Sequence, residues 1–313
     1  ELGIGATALL MRRQTERLGM KERRFYWIVL AAFVPAALNS TSVHNDVRAG
    51  SVGIVLYLAL VLVAWGMMSR TSWLTGAAVA LAALVKLAPA VAVLYVARRG
   101  ARRAALLAAV LLVVSMLPAL LHWGWGIVPD YLQSALLPSL GAEHPRPMNQ
   151  SLDAMLSRLF IPSPLVRSPF DLPWLKHALS ASLSIVILVL TLGTLRARRR
   201  HVALLPVELG LVILAVLILM KLTWVHTLAA MLFVWPFLML AILRAAERSA
   251  AWAVRAGVWA CIGFFLSSAH VPILWQGLRH GPWVLVISVH LLGLLILWAV
   301  SRQVLRHQAD FLS

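Results

Sequence analysis

Residues 72–99 read SWLTGAAVALAALVKLAPAVAVLYVARR, from Ser72 to Arg99. The run is about one membrane span long by the roughly 20-residue rule, yet Lys86 stands at its centre and Pro89 follows three residues later. An ammonium group in hydrocarbon costs several kcal/mol, so Lys86 must face protein, water or an anion. Pro89 removes a backbone donor and breaks the helix beside it. Both ends of the run are basic, with Arg70 before it and Arg98, Arg99, Arg102 and Arg103 after it. If positive charge marks the cytoplasm, the segment enters and returns as two short helices with Lys86 at the tip. A polar tip at membrane depth is tolerated only where it lines a cavity, which makes this hairpin the first sign of a site.

The rest of the chain agrees with that setting. Its 313 residues are 61% hydrophobic and 12% charged, with a mean hydropathy of +0.87, values that belong to a multi-pass membrane protein. The formal net charge of +17 would point to nucleic acid in a soluble protein. Here the basic residues lie in short clusters between apolar runs, which topology alone produces, and no nucleic-acid partner is expected. A single cysteine, Cys261, excludes a disulfide framework and a cysteine metal site. No His, Asp or Glu group has ligand spacing, so neither a metal nor another cofactor is expected. The chain opens on Glu1, and Leu2 to Met11 reads as the closing turns of a helix. The expectation is a chain whose first spans, and a first outer loop, lie upstream.

In order, Met11 to Arg24 reads as a polar cytoplasmic linker, and Phe25 to about Ser40 as a span. A polar turn follows, with His44, Asn45, Asp46 and Arg48, and Ser51 to Met68 returns. After the broken hairpin, Ala104 to about Trp123 crosses outward. Residues 124–177 form the longest extramembrane part and hold eight of the fifteen prolines. Within it, Asn149 to Phe160 is an amphipathic helix. Leu152, Met155, Leu156, Leu159 and Phe160 share one face, with Gln150, Asp153, Ser157 and Arg158 on the other. Asn149 is placed to cap it, and the helix is expected along the outer membrane surface. Asp130 to Leu140 reads as a weaker helix of the same kind. Spans at about 179–195, 203–220, 227–242, 252–268 and 283–300 complete the pattern. The fold class is therefore all-α: one polytopic membrane domain over 1–313, with about nine to ten membrane helices and an extracytoplasmic loop at 124–177. The cytoplasmic joins and tails of this topology carry 20 of the 28 Lys and Arg, and the outer joins the other 8.

Four polar groups are expected to converge on the outer side: Asp46 with Arg48, the Lys86 tip, the helix with Asn149, Gln150 and Arg158, and the turn from Lys221 to His226. An anionic lipid headgroup needs such a set, with lysine and arginine for phosphate, amides for hydroxyls and histidine for proton or hydrogen-bond work. Each residue also has a structural reading. Lys86 could snorkel, Asn149 could be no more than an N-cap, Asp46 a turn former, Arg158 a solvated charge and His226 an interface residue. Glu208, near the cytoplasmic end of its span, reads as the partner of a neighbouring arginine.

The run TGAAVALAALVKLAP resembles the small-Gly…Lys-x-x-Pro segment of the polyprenol-phosphate-mannose-dependent mannosyltransferases, glycosyltransferase family 87 of the C-type superfamily. The outer Asn-Gln-Ser-Leu…Arg pattern stands here as Asn149, Gln150, Ser151, Leu152 and Arg158. The late Trp-Asp-His turn stands as Trp224, Val225 and His226, without its Asp. At the family's Gly-Gln-x-Asn turn this chain has Gly50-Ser51-Val52-Gly53. The resemblance, over roughly Phe25 to Arg244, implies a C-type glycosyltransferase bundle. It also implies inverting transfer of a hexose, mannose first, from a polyprenyl-phosphate-linked donor to a lipid or glycan acceptor at the extracytoplasmic face of the cell membrane. The superfamily's aspartate base would then lie upstream of Glu1. Lys86 and Arg158 are expected at the donor phosphate, His226 in catalysis, and Asn149, Gln150, Asp46 and Arg48 at sugar or acceptor. Broken helices with a buried charge also build transporter and flippase sites, and the departures at Ser51, Gly53 and Val225 leave room for a non-catalytic relative.

Overall fold

The computed structural model describes residues 2–19, 23–48, 52–86, 88–138, 144–196, 201–268 and 281–309, with a few side chains among them, His226's included, outside the description. Among the described residues the protein is all-α, with no strand. Six of its helices are long and apolar enough to cross a membrane.

The opening hairpin is built as its sequence dictates. α5 (Ser72–Val85) stops at Lys86, whose backbone is extended (φ −147°, ψ 133°), because Pro89 has no N–H to give the Val85 carbonyl four residues back and its ring would clash there. A 3₁₀ turn at Ala88–Ala90 carries the chain into α6 (Val91–Arg98), which runs back. α4 (Gly53–Ser69) reaches α5 through a turn in which Arg70 takes a left-handed conformation (φ 57°) and Thr71 N–H bonds Gly66 O at 2.8 Å. The turn is tight enough that a Cβ on Gly66 would meet Thr75 N at 2.7 Å. Small residues that let backbones approach are how membrane helices pack without a hydrophobic drive between them.

α11 (Leu205–Leu219) is apolar on every side and sits at the centre, as such helices must. Within the most apolar window of 202–219, 78% of residues are buried, and 83% are in that of 227–246, which takes in most of a 3₁₀ stretch (Val225–Phe233) and then α12 (Val234–Ala246). The outer wall differs. α7 (Arg102–Trp123) and α10 (Pro173–Leu195) bury only 17% and 22%, turning leucine, isoleucine and valine outward to lipid. α13 (Ala250–Ser268) and α15 (Val289–Ala309) pack on each other through Gly263 and Gly293. Glu208 pairs with Arg99 and accepts from Tyr95 Oη at 3.0 Å, which tethers α11 to α6 as its position in the sequence predicts.

Three local expectations are corrected. Met11 to Arg17 is not linker, because α1 (Leu2–Arg17) continues through it and fully buries Gln14, whose amide donates to Ala203 O (3.0 Å) and Phe237 O (3.3 Å). The polar turn after α2 (Arg23–Leu38) is a helix, α3 (Thr41–Arg48). In the outer loop, α8 (Ile127–Tyr131) passes into a wide π-turn at Leu132–Leu136, and α9 (Leu152–Phe160) is capped by Ser151, whose hydroxyl accepts from Ala154 N–H at 3.1 Å. Asn149 is used elsewhere. Both faces of α9 are covered: Leu152 and Leu156 are buried on one, Asp153, Ser157 and Arg158 on the other. α9 therefore does not lie between lipid and water but is wedged between α10 and the short helix α14 (Val284–Ile287).

Candidate functional site

The polar residues gather around one stretch, 221–227, gripped at both ends. At its start, Asn149 works as a clamp. Its Nδ2 donates to Lys221 O (2.7 Å) and His144 O (3.3 Å), and its Oδ1 accepts from Thr223 N–H (2.8 Å) and Ser151 N–H (3.3 Å). The backbone continues the grip, with Gln150 N–H to Thr223 O at 2.6 Å and Val225 N–H to Met148 O at 3.2 Å, a short antiparallel pairing of residues 148–150 with 223–225. Gln150 donates from Nε2 to Pro147 O (2.8 Å) and Ile287 O (2.9 Å), reaching the α14 end.

Arg158 lies beneath this pairing and is fully buried. One terminal nitrogen donates to Arg146 O (3.1 Å) and Asn149 O (2.8 Å), and the other to Ser288 Oγ (2.7 Å). Nε is buried with no protein partner among the described residues. Burial pulls the guanidinium down to about 9, still cationic at neutral pH. Its partners are carbonyls and a hydroxyl, dipoles rather than a counter-charge. Asp153, one turn back, is instead engaged by Lys176 at 2.8 Å.

At the other end of the stretch, Lys86 donates from Nζ to Thr227 Oγ1. Leu56, Pro89, Ile213, Leu217, Met220 and Ala230 close around the pair. Asp46 lies close enough for its charge to act on Lys86. It is fully buried, and its carboxylate accepts Gly53 N–H (3.0 Å) and Ile54 N–H (2.8 Å), the orphan donors at the start of α4. α3 packs on the 3₁₀ stretch that carries Thr227, so Asp46, Lys86 and Thr227 form one group. Arg48 is exposed on α3. His226 adjoins Thr227 in the chain, and its side chain lies outside the described residues, as does Ser51.

The sequence thus locates two polar centres joined by 221–227: Lys86 with Asp46, and the 149–158 segment. It misses Thr223, Thr227 and Ser288, the hydroxyl and backbone groups that complete them. A lone hydroxyl residue inside an apolar run was the available signal for Thr227 and Ser288. The arrangement holds an ammonium and a buried guanidinium to which, among the described residues, no carboxylate is bound directly, and this favours an anion. Among the described residues no three His, Cys, Asp or Glu side chains gather as a metal site would need.

Comparison with curated proteins and with solved structures yields no match. The family described as glycosyltransferase family 87 matches residues 2–220, more than two thirds of the chain and a range that takes in Asp46, Lys86, Asn149 and Arg158. The protein therefore belongs to glycosyltransferase family 87 and, with six helices fit to cross a bilayer, is a membrane glycosyltransferase.

Proposed function

We propose that the protein transfers a hexose, with mannose as the first candidate, from a polyprenyl-phosphate-linked donor to a lipid or glycan acceptor at the extracytoplasmic face of the cell membrane, with inversion. The observation that carries this reading is Lys86, a cation held at the break of a membrane hairpin by a hydroxyl rather than a carboxylate. The excess of Lys and Arg at the Arg70–Arg99 end supports placing that end in the cytoplasm and Lys86 toward the outside.

In the proposed step an acceptor hydroxyl oxygen forms a bond to the anomeric carbon as the bond from that carbon to the donor phosphate oxygen breaks. The electron pair leaves with polyprenyl phosphate, and the hydroxyl proton passes to a base. A phosphate leaving group needs charge stabilisation and no acid, and preorganised donors supply it most effectively where water is excluded. Lys86 contacts the phosphate, while Arg158 adds a fixed positive charge from beneath the 148–150 pairing. Asp46 anchors α4 and orients Lys86. Asn149 and Gln150 set the position of 221–227, and through it His226 and Thr227, against the incoming sugar. Arg48, exposed on α3, meets the acceptor.

The test is a transfer assay on the full-length protein in lipid vesicles, with radiolabelled polyprenyl-phosphate mannose and a lipid extract as acceptor. A labelled product that survives mild acid, which cleaves the donor, supports the reading. Donor movement across the bilayer with no new glycosidic bond would replace it with a transporter.

A further inference from the structure

At the end of the bundle opposite Lys86, a cavity of about 530 Å³ opens between the end of α6, the start of α7 and the end of α10. Arg98, Arg102 and Arg196 line it. All three are exposed, and none is paired with a carboxylate among the described residues. Arg99, in the same wall, is already taken by Glu208. Adjoining the cavity is an apolar groove of about 640 Å³ between α6, α10 and α11, whose walls include Leu94, Leu192 and Leu219. Arg98 and Leu195 line both, so the cationic cavity and the apolar groove are continuous.

Topology accounts for arginines at this end, but a solvated positive face needs no apolar groove leading away from it. A soluble anion would use the cavity and leave the groove idle. A neutral lipid would use the groove and leave three guanidinium groups without a partner. Only a molecule with an anionic head and a hydrocarbon chain fits both, and basic pockets between membrane helices are suited to phosphate head groups. We propose that this is a binding site for an anionic phospholipid of the adjacent leaflet, with its phosphate among Arg98, Arg102 and Arg196 and one acyl chain along Leu94 and Leu192. The site is separate from the reaction centre, so it stands or falls independently of the donor assignment.

The experiment uses the full-length protein in neutral detergent, titrated with phosphatidylglycerol, phosphatidylcholine, inorganic phosphate and polyprenyl phosphate, with bound lipid counted by native mass spectrometry. Phosphatidylglycerol is expected to bind at least tenfold more tightly than phosphatidylcholine. Each arginine near an anionic head contributes about fivefold, so R98Q/R102Q/R196Q should lose on the order of a hundredfold. These side chains are exposed and bind no carboxylate among the described residues, and an unchanged gel-filtration profile would verify the fold. Leu94→Trp, which fills the groove, should weaken the lipid at least tenfold and leave inorganic phosphate unaffected. Equal binding of the two phospholipids, or no loss in the triple variant, would overturn the proposal and leave the arginines as topology charges. Inorganic phosphate binding as tightly as phosphatidylglycerol would make it a soluble-anion site, and displacement by equimolar polyprenyl phosphate would give the groove to the donor.

Discussion

Lys176 and Asp153 form an ion pair of 2.8 Å in which the lysine side chain is 1% exposed, and Ser180 donates to the same carboxylate oxygen at 3.1 Å. The pair fastens α9 to the first turns of α10, so it fixes the outer loop to the membrane bundle. Removing one member of a buried pair strands the other charge and costs about 3–5 kcal/mol, whereas replacing both by apolar groups is often neutral. Lys176→Met should therefore lower the melting temperature in detergent markedly, and the double variant Lys176→Met with Asp153→Leu should recover most of the loss. A double variant melting as low as the single would show that the loop depends on something other than charge compensation.

Ser151 and Asn149 separate two roles that the sequence merges. Ser151→Ala removes the α9 cap, a loss of about 0.5–2 kcal/mol, together with the bond from its hydroxyl to Lys221 O. Asn149→Ala strands the buried Thr223 N–H, at about 1–3 kcal/mol for a group left unsatisfied, takes from Lys221 O one of its two donors, and frees the start of the 148–150 pairing. Asn149→Ala should be the more destabilising of the two in thermal unfolding. The reverse order would mean that capping, and not the clamp on 221–227, is the main contribution of this segment.

Gly66 offers a packing test at the hairpin. An added Cβ would lie 2.5 Å from Thr75 Oγ1 and 2.7 Å from Thr75 N, and the latter is backbone that cannot rotate away. Gly66→Ala should cost about 1–3 kcal/mol, as overpacking does. At Gly126, where an added Cβ meets nothing within 4 Å, the same change should leave melting unaltered.

The sequence made the membrane class, the broken hairpin and the pairing of Glu208 legible because each follows from a local rule of charge, proline or hydropathy. It could not show how the outer loop is used. The alternation along Asn149–Phe160 places Asp153, Ser157 and Arg158 on a polar face, but periodicity does not say whether such a face meets water or protein. Here it meets Lys176, the 146–149 backbone and Ser288, the last of which lies 130 residues along the chain from Arg158. Gln14 failed for the same reason: a polar residue among arginines reads as solvated until two distant carbonyls are found to need it. Thr227 could be placed at the start of a span, just after the turn from Lys221 to His226, but its bond to Lys86 spans 141 residues and no spacing rule reaches that far.

The Lys86–Thr227 contact carries the sharpest prediction for activity. If Lys86 stabilises charge on the departing phosphate, the gain is larger in the transition state than in the bound donor, so its loss falls on kcat more than on KM. Deleting one such donor typically costs about 10²–10³ in kcat. Lys86→Ala should lose at least that much with expression intact, and His226→Ala should also lose most of its transfer. Thr227→Val keeps the ammonium and removes only the hydroxyl that aims it, so a loss of about tenfold is expected. In the double variant Lys86→Ala with Thr227→Val, the hydroxyl has nothing left to orient, and the second change should cost almost nothing beyond the first. That non-additivity is the signature of one interaction shared by two residues. Wild-type turnover in Lys86→Ala would remove the phosphate role altogether. Fully additive losses would leave Lys86 active but show that Thr227 contributes through packing of the 3₁₀ stretch rather than by aiming the charge.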